Sequence, residues 1–146
     1  MKILIVDDES EVADFLKNAA KTRGITDIDT AACGEEALGQ VVRQHYDLIT
    51  LDIRMPGVSG LEILSIMRNM CPHAVIIVIS GYIPAGIDEE TTAAADALIA
   101  KPIHLNLFAQ LVDATQQIIA ARETIQSLCS EWIPEELSQP LRIFPK

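Results

Sequence analysis

Asp7, Asp8, Asp52, Ser80 and Lys101 each stand directly behind a short apolar run: ILIV precedes Asp7 and Asp8, DLITL precedes Asp52, AVIIVI precedes Ser80, and ALIA precedes Lys101. If those runs are strands of one parallel sheet, three carboxylates, a hydroxyl and an ammonium meet at one edge. Carboxylates crowded together at neutral pH repel one another by roughly several kcal/mol at low dielectric, and the usual remedies are raised pKa values or a bound cation. An all-oxygen site with few protein ligands and room for water suits Mg2+. A carboxylate held there can attack an electrophilic phosphorus as a covalent nucleophile. Lys101 would neutralise a phosphoryl oxygen as a point charge, and Ser80 would donate a hydrogen bond to another. Taken singly, each residue has a plainer account. Asp7 and Asp8 suit the acidic start of a helix, Ser80 beside Gly81 suits a turn, Asp52 suits a loop and Lys101 a solvated surface. Those accounts do not explain why all five fall at strand ends, spread over four separate strands.

The elements that must position them follow from periodicity. Ile3 to Val6 is apolar at every position, as in a parallel strand buried on both faces. Val12, Phe15, Leu16 and Ala19 then recur at helical spacing up to Gly24. A second strand is expected around Ile28 to Ala31. The helix opened by Gly34 carries the stripe Leu38, Val41, Val42 and His45, which makes His45 a packed core histidine. Asp47 to Leu51 forms a third strand, and Ser59 with Glu62 makes a capping box for a helix bearing Leu61, Leu64 and Met67. Ala74 to Ile79 is a fourth strand, Asp88 to Ala95 an alanine-rich helix, Ala97 to Ala100 a fifth strand, and a long helix begins near Leu105. Five strand-then-helix repeats with no hairpin signal predict an α/β, doubly wound parallel sheet with helices on both faces. In such sheets ligands sit outside the carboxyl ends of the strands, where the five residues above stand.

Composition narrows the classes further. The 146 residues are 49% hydrophobic and 22% charged, which is one globular domain, and the formal charge of −10 repels phosphate backbones and anionic lipid headgroups. No direct nucleic-acid or membrane partner is therefore expected. Cys33, Cys71 and Cys129 are odd in number, and no C-x-x-C is present, so they are expected as buried free thiols of a cytoplasmic protein. The uncharged stretch from Asn69 to Ile87 approaches a membrane span in length. Pro72, Gly81, Pro84 and Gly86 interrupt it, which leaves a buried strand flanked by loops. His73 and His104 lack partners at ligand spacing. No G-x-G-x-x-G or Walker lysine motif occurs, and Asp7-Asp8-Glu9 has the wrong charge to cradle a phosphate-bearing cofactor after the first strand.

The segments ILIVDDE, DLITLDIRMPGVSGLEIL, VIIVISG and ALIAKP, in this order, resemble the receiver domain of two-component response regulators, the CheY-like family, over about residues 1 to 120. The resemblance implies the flavodoxin-like strand order 2-1-3-4-5. It implies that Asp52 is the phosphoacceptor, that Asp7 and Asp8 bind Mg2+ together with Asp52 and the backbone carbonyl of Arg54, and that Ser80 and Lys101 contact the phosphoryl group. It also implies a cis Lys101–Pro102 bond, a phosphoryl donor that is a sensor histidine kinase or a phosphotransfer protein, and a downstream output domain or protein. One departure matters: receivers commonly carry Tyr or Phe three residues before the lysine, and this chain has Leu98, so an aromatic switch at that position is excluded. Arg54 and Tyr82 are long enough to shape water access to the site. Two rival readings stand beside the receiver. A phosphorylation-independent protein-binding scaffold is favoured by Leu98. An aspartate-dependent phosphatase would place a D-x-D motif after the first strand, which Asp7-Asp8-Glu9 does not match.

Beyond the receiver match, Leu107, Leu111, Ala114, Ile118, Ala121, Ile125, Leu128 and Trp132 alternate steps of four and three, a heptad seam. Phe108 and Val112 are expected to cover the sheet in its first half. Past Ala120 no sheet remains to cover, so residues 121–146 form a separate helical extension with a proline-containing tail. Three coverings of the seam are open: a homodimer through this helix, which is the one expected, a following domain, or a fold-back of the tail through Leu137, Leu141, Ile143 and Phe144.

Overall fold

The computed structural model describes residues 1–130; Trp132, Leu137, Leu141, Ile143, Phe144 and the prolines of the tail lie outside the described residues. Ten elements alternate along the described residues: β1 (Ile3–Val6), α1 (Ser10–Lys21), β2 (Ile28–Ala31), α2 (Gly34–Arg43), β3 (Leu48–Leu51), α3 (Gly60–Met70), β4 (Val75–Ser80), α4 (Glu89–Ala93), β5 (Ala97–Ala100) and α5 (Leu105–Ser130). The five strands form one parallel sheet in the order β2-β1-β3-β4-β5.

Side chains alternate across the sheet and divide the core in two. Leu4, Val6, Ile49, Leu51, Ile76 and Val78 pack under α2 and α3. Ile3, Ile5, Leu48, Ile77 and Ile79 pack under α1 and α5, where Phe108 and Val112 close the layer. The Ser59–Glu62 capping box forms and starts α3 where the spacing places it. None of the described helices is long and apolar enough to cross a membrane.

Four side-chain expectations are corrected. Phe15 is exposed, because the face α1 turns to the sheet is Ala13, Leu16, Ala19 and Ala20, of which Leu16 and Ala19 are the expected ones. Val42 is 70% exposed, because Ala37 and Val41 carry the buried line of α2. His45 is exposed as well: α2 stops at Arg43, so the helical period no longer governs it, and Tyr46 goes inward instead. Its hydroxyl donates to Asp29 Oδ2 at 2.7 Å, which satisfies the polar end of the ring. Of the three cysteines only Cys71 is buried; Cys33 is half-buried and Cys129 exposed on the solvated end of α5.

Candidate functional site

Strand register brings the chemistry together. Val6 lies opposite Leu51 across the β1–β3 pair, so Asp7 and Asp52, the next residues, leave the sheet at the same level. The ladder runs on into both of them: the Asp7 amide donates to the Ala31 carbonyl at 3.0 Å, and the Asp52 amide to the Val6 carbonyl at 2.9 Å. On the other side Ser80 pairs with Ala100, and the Lys101 amide donates to the Ser80 carbonyl at 2.9 Å, which aims Lys101 back over β3. The Lys101–Pro102 peptide bond is cis.

Asp7, Asp52 and Ser80 are buried, Lys101 is half-buried, and Asp8 and Glu9 are exposed. Asp52 Oδ1 accepts from the Ser80 hydroxyl at 2.7 Å and from the Arg54 amide at 3.1 Å. Its other oxygen meets Lys101 Nζ at 2.9 Å. The ammonium also contacts Asp7 Oδ2 and Glu9 Oε1, each at 2.8 Å, so one cation is shared by three acids. Burial pushes the Asp7 carboxyl above the ordinary aspartate value, the Asp52 charge adds to this, and hydrogen bonds from Lys101 and the Glu9 amide oppose it. For Lys101, burial works to lower the value, but its hydrogen bonds to Asp7, Glu9 and Asp52 outweigh burial and hold it above the ordinary lysine range. It therefore stays charged at neutral pH.

A divalent cation fits this donor set. Carboxylate oxygens of Asp7, Asp8 and Asp52 lie within 4.8 Å of one another, and Asp8 opens the cluster to water, which suits a hard ion that keeps part of its hydration shell. Glu9 is not in that cluster; it belongs to Lys101.

The five residues singled out from the strand ends thus converge. Arg54 and Tyr82 meet as well: the Arg54 guanidinium stacks over the Tyr82 ring, 4.3 Å from its centroid, beside the cleft that Asp8, Asp52 and Lys101 line. Leu98 is half-buried and packs against the core under α2 and α3.

Two residues of the site were not visible in the sequence pattern. Glu9 reads as another acid at the start of a helix, and only the structure shows its contact with Lys101 across 92 positions of chain. Gly60 begins α3 so close to β3 that a Cβ there would overlap the Asp52 carbonyl oxygen and come within 2.9 Å of the Ile53 Cα. Its amide donates to the Ile53 carbonyl at 2.9 Å, which ties the helix start to the segment after Asp52. A glycine in the eighth position after an acid carries no recognisable sequence signal by itself.

A family model, the response regulator receiver domain, matches residues 3–113. The transcriptional regulatory protein YvrH of Bacillus subtilis is 32% identical over 123 residues, 84% of this chain and 52% of that protein. The protein-glutamate methylesterase/protein-glutamine glutaminase 4 of Geobacter metallireducens is 42% identical over 99 residues, 66% of this chain and 28% of that protein. This chain therefore spans about half, or less, of the length of these two relatives. Among solved structures, the response regulator protein TrrA of Thermotoga maritima, in complex with Mg2+-BeF, superposes with a TM-score of 0.67 at 38% identity, covering 81% of this chain and 99% of that one.

Proposed function

This chain belongs to the response regulator receiver domain family, and we propose that it takes a phosphoryl group from the phosphohistidine of a sensor histidine kinase or phosphotransfer protein onto Asp52. The observation that carries the reading is the set of contacts on that buried carboxylate: a serine hydroxyl on one oxygen and a lysine ammonium on the other. In the transfer one Asp52 oxygen forms a bond to phosphorus as the bond from phosphorus to the donor's imidazole nitrogen breaks, with the electron pair remaining on the imidazole. The product is an acyl phosphate. Lys101 is already 2.9 Å from the carboxylate and turns to a phosphoryl oxygen, and the Ser80 hydroxyl redirects its hydrogen bond in the same way. Mg2+, when held by Asp7, Asp8, Asp52 and the backbone carbonyl of Arg54, supplies positive charge against the oxygens of the incoming group.

The modified state is read by an output domain or protein. The movement of Ser80 carries the signal without an aromatic switch, since Leu98 occupies that place. The chemistry is stoichiometric and not the turnover of an external substrate. The acidic surface fits a protein partner and not direct contact with nucleic acid or lipid, and the site of action is the cytoplasm.

Incubation with a small acyl phosphate and Mg2+ should add one phosphoryl group per chain by intact mass, and a chelator should prevent it. A chain that gains no mass at millimolar donor would contradict the reading.

Metal binding gives a second expected outcome. Only the folded chain assembles the three carboxylates, so Mg2+ at a hundredfold excess over Kd should stabilise it by about 2.7 kcal/mol. For a chain of this size that raises Tm on the order of 5–10 °C. Asp8→Ala should remove most of the gain, and Glu9→Ala should leave it, because Glu9 faces Lys101. Equal losses from the two substitutions would show diffuse charge instead of a defined site.

A further inference from the structure

The last buried residue of α5 is Thr115, and every residue from Ala120 to Ser130 is exposed, although the helix runs on unbroken. A helix of that length has marginal stability in water without a packing partner. The stripe that α5 turns to the sheet contains Phe108, Val112 and Thr115. The heptad seam lies beside that stripe, and no other described residue covers it: Ile118, Ile125 and Leu128 are 40%, 60% and 56% exposed, with Ala114 and Ala121 between them.

We propose that this seam is a dimer interface whose occupant is the same seam of a second copy, in parallel. Three features select a copy of this chain over other coverings. The spacing is 3.5 residues, the period of two helices wound on each other, whereas a helix lying on its own domain follows 3.6. Ile118 and Ile125 fall at the a positions and Leu128 at d, and β-branched residues at a with leucine at d favour two parallel strands.

Charge supplies the third feature. In a chain of formal charge −10, two copies repel unless the acids stay clear of the contact. The two acids of α5 do so. Asp113 is turned to Arg23 of α1 at 3.1 Å, and Glu123 sits two positions beyond Ala121, on the side away from the seam. The seam's flanks are Gln117, Thr124, Cys129 and Arg122, and the Arg122 guanidinium is folded back onto the His73 carbonyl. Among the described residues no acid lies on this line to repel a second copy, and the one cation on its flank, Arg122, is engaged with its own domain.

Light scattering on the full chain at high micromolar concentration should give twice the monomer mass. Ile118→Glu with Ile125→Glu should return it to the monomer while phosphoryl uptake continues, which shows that the variant is folded. Leu128→Cys in a Cys129→Ser background should cross-link between copies under mild oxidation, since parallel strands place the two d positions face to face. A monomeric full chain would overturn the proposal and assign the seam to another covering, such as the chain beyond Ser130. A dimer that survives the double substitution would overturn it in favour of another face, and a failure to cross-link would overturn the parallel arrangement.

Discussion

Asp52→Ala should leave a folded chain that takes up no phosphoryl group. The folding half of this expectation rests on charge. Asp7, Asp8 and Asp52 present oxygens within 4.8 Å of one another, and at that separation two carboxylates repel by about 3 kcal/mol or more at an effective dielectric of about 20. Removing Asp52 relieves part of that repulsion and still leaves Lys101 paired with Asp7 and Glu9. Against this stands the loss of the hydrogen bonds from the Ser80 hydroxyl and the Arg54 amide and of one ion pair to Lys101, about 1.5–3 kcal/mol for each contact to the charged acceptor. The opposing effects are of similar size, so Tm should move little in the absence of metal. The chemical half is absolute. Among the described residues no other carboxylate accepts from both the serine hydroxyl and the lysine ammonium, so intact mass should show no addition under conditions that label the unaltered chain. Undiminished labelling of the variant would transfer the acceptor role elsewhere.

The second large effect is expected at a residue with no chemistry of its own. Gly60→Ala should destabilise the chain by about 3 kcal/mol, the upper end of what overpacking ordinarily costs. Helix propensity alone argues the other way, since alanine is better than glycine inside a helix by about 1 kcal/mol. The clash decides the sign: the three atoms nearest the new Cβ belong to the backbone of Asp52 and Ile53, and none of them is the free end of a side chain. Either α3 moves off the sheet or the segment carrying Asp52 shifts, so phosphoryl uptake should slow as stability falls. Gly39→Ala provides the internal comparison, because a Cβ at that position in α2 meets nothing within 4 Å. It should stabilise by up to about 1 kcal/mol, and denaturant midpoints of both variants check the pair. A Gly60→Ala chain as stable as the unaltered one would refute the close-approach account.

The site was legible in the sequence to an unusual degree because of where its residues sit. A strand buried on both faces announces itself as a continuous apolar run, and the polar residue that ends the run is the one delivered to the sheet's edge. Asp7, Asp52, Ser80 and Lys101 were all found by that single rule. Contacts that depend on how elements approach one another left no such mark. Glu9 meets Lys101 through their side chains although β3 and β4 lie between β1 and β5, and Gly60 is needed only because α3 starts against the segment after β3. Periodicity also failed at the ends of helices: His45 continues the stripe of α2 on paper, but the helix ends two residues earlier. Phe15 is large but lies off the buried face of α1, which Leu16 fills beside Ala13, Ala19 and Ala20. The division of α5 is legible as well: Phe108 and Val112 cover the sheet as their spacing predicts, beside the separate period of the seam.

The most direct measurement locates the acyl phosphate itself. The chain is phosphorylated with a small donor and Mg2+, reduced with borohydride, which converts a phosphorylated aspartate to homoserine, and mapped by peptide mass spectrometry. Homoserine at position 52, and at no other aspartate, is the result this account requires. Homoserine at Asp7 or Asp8, or a phosphoryl group that survives reduction on Ser80 or on a histidine, would contradict it.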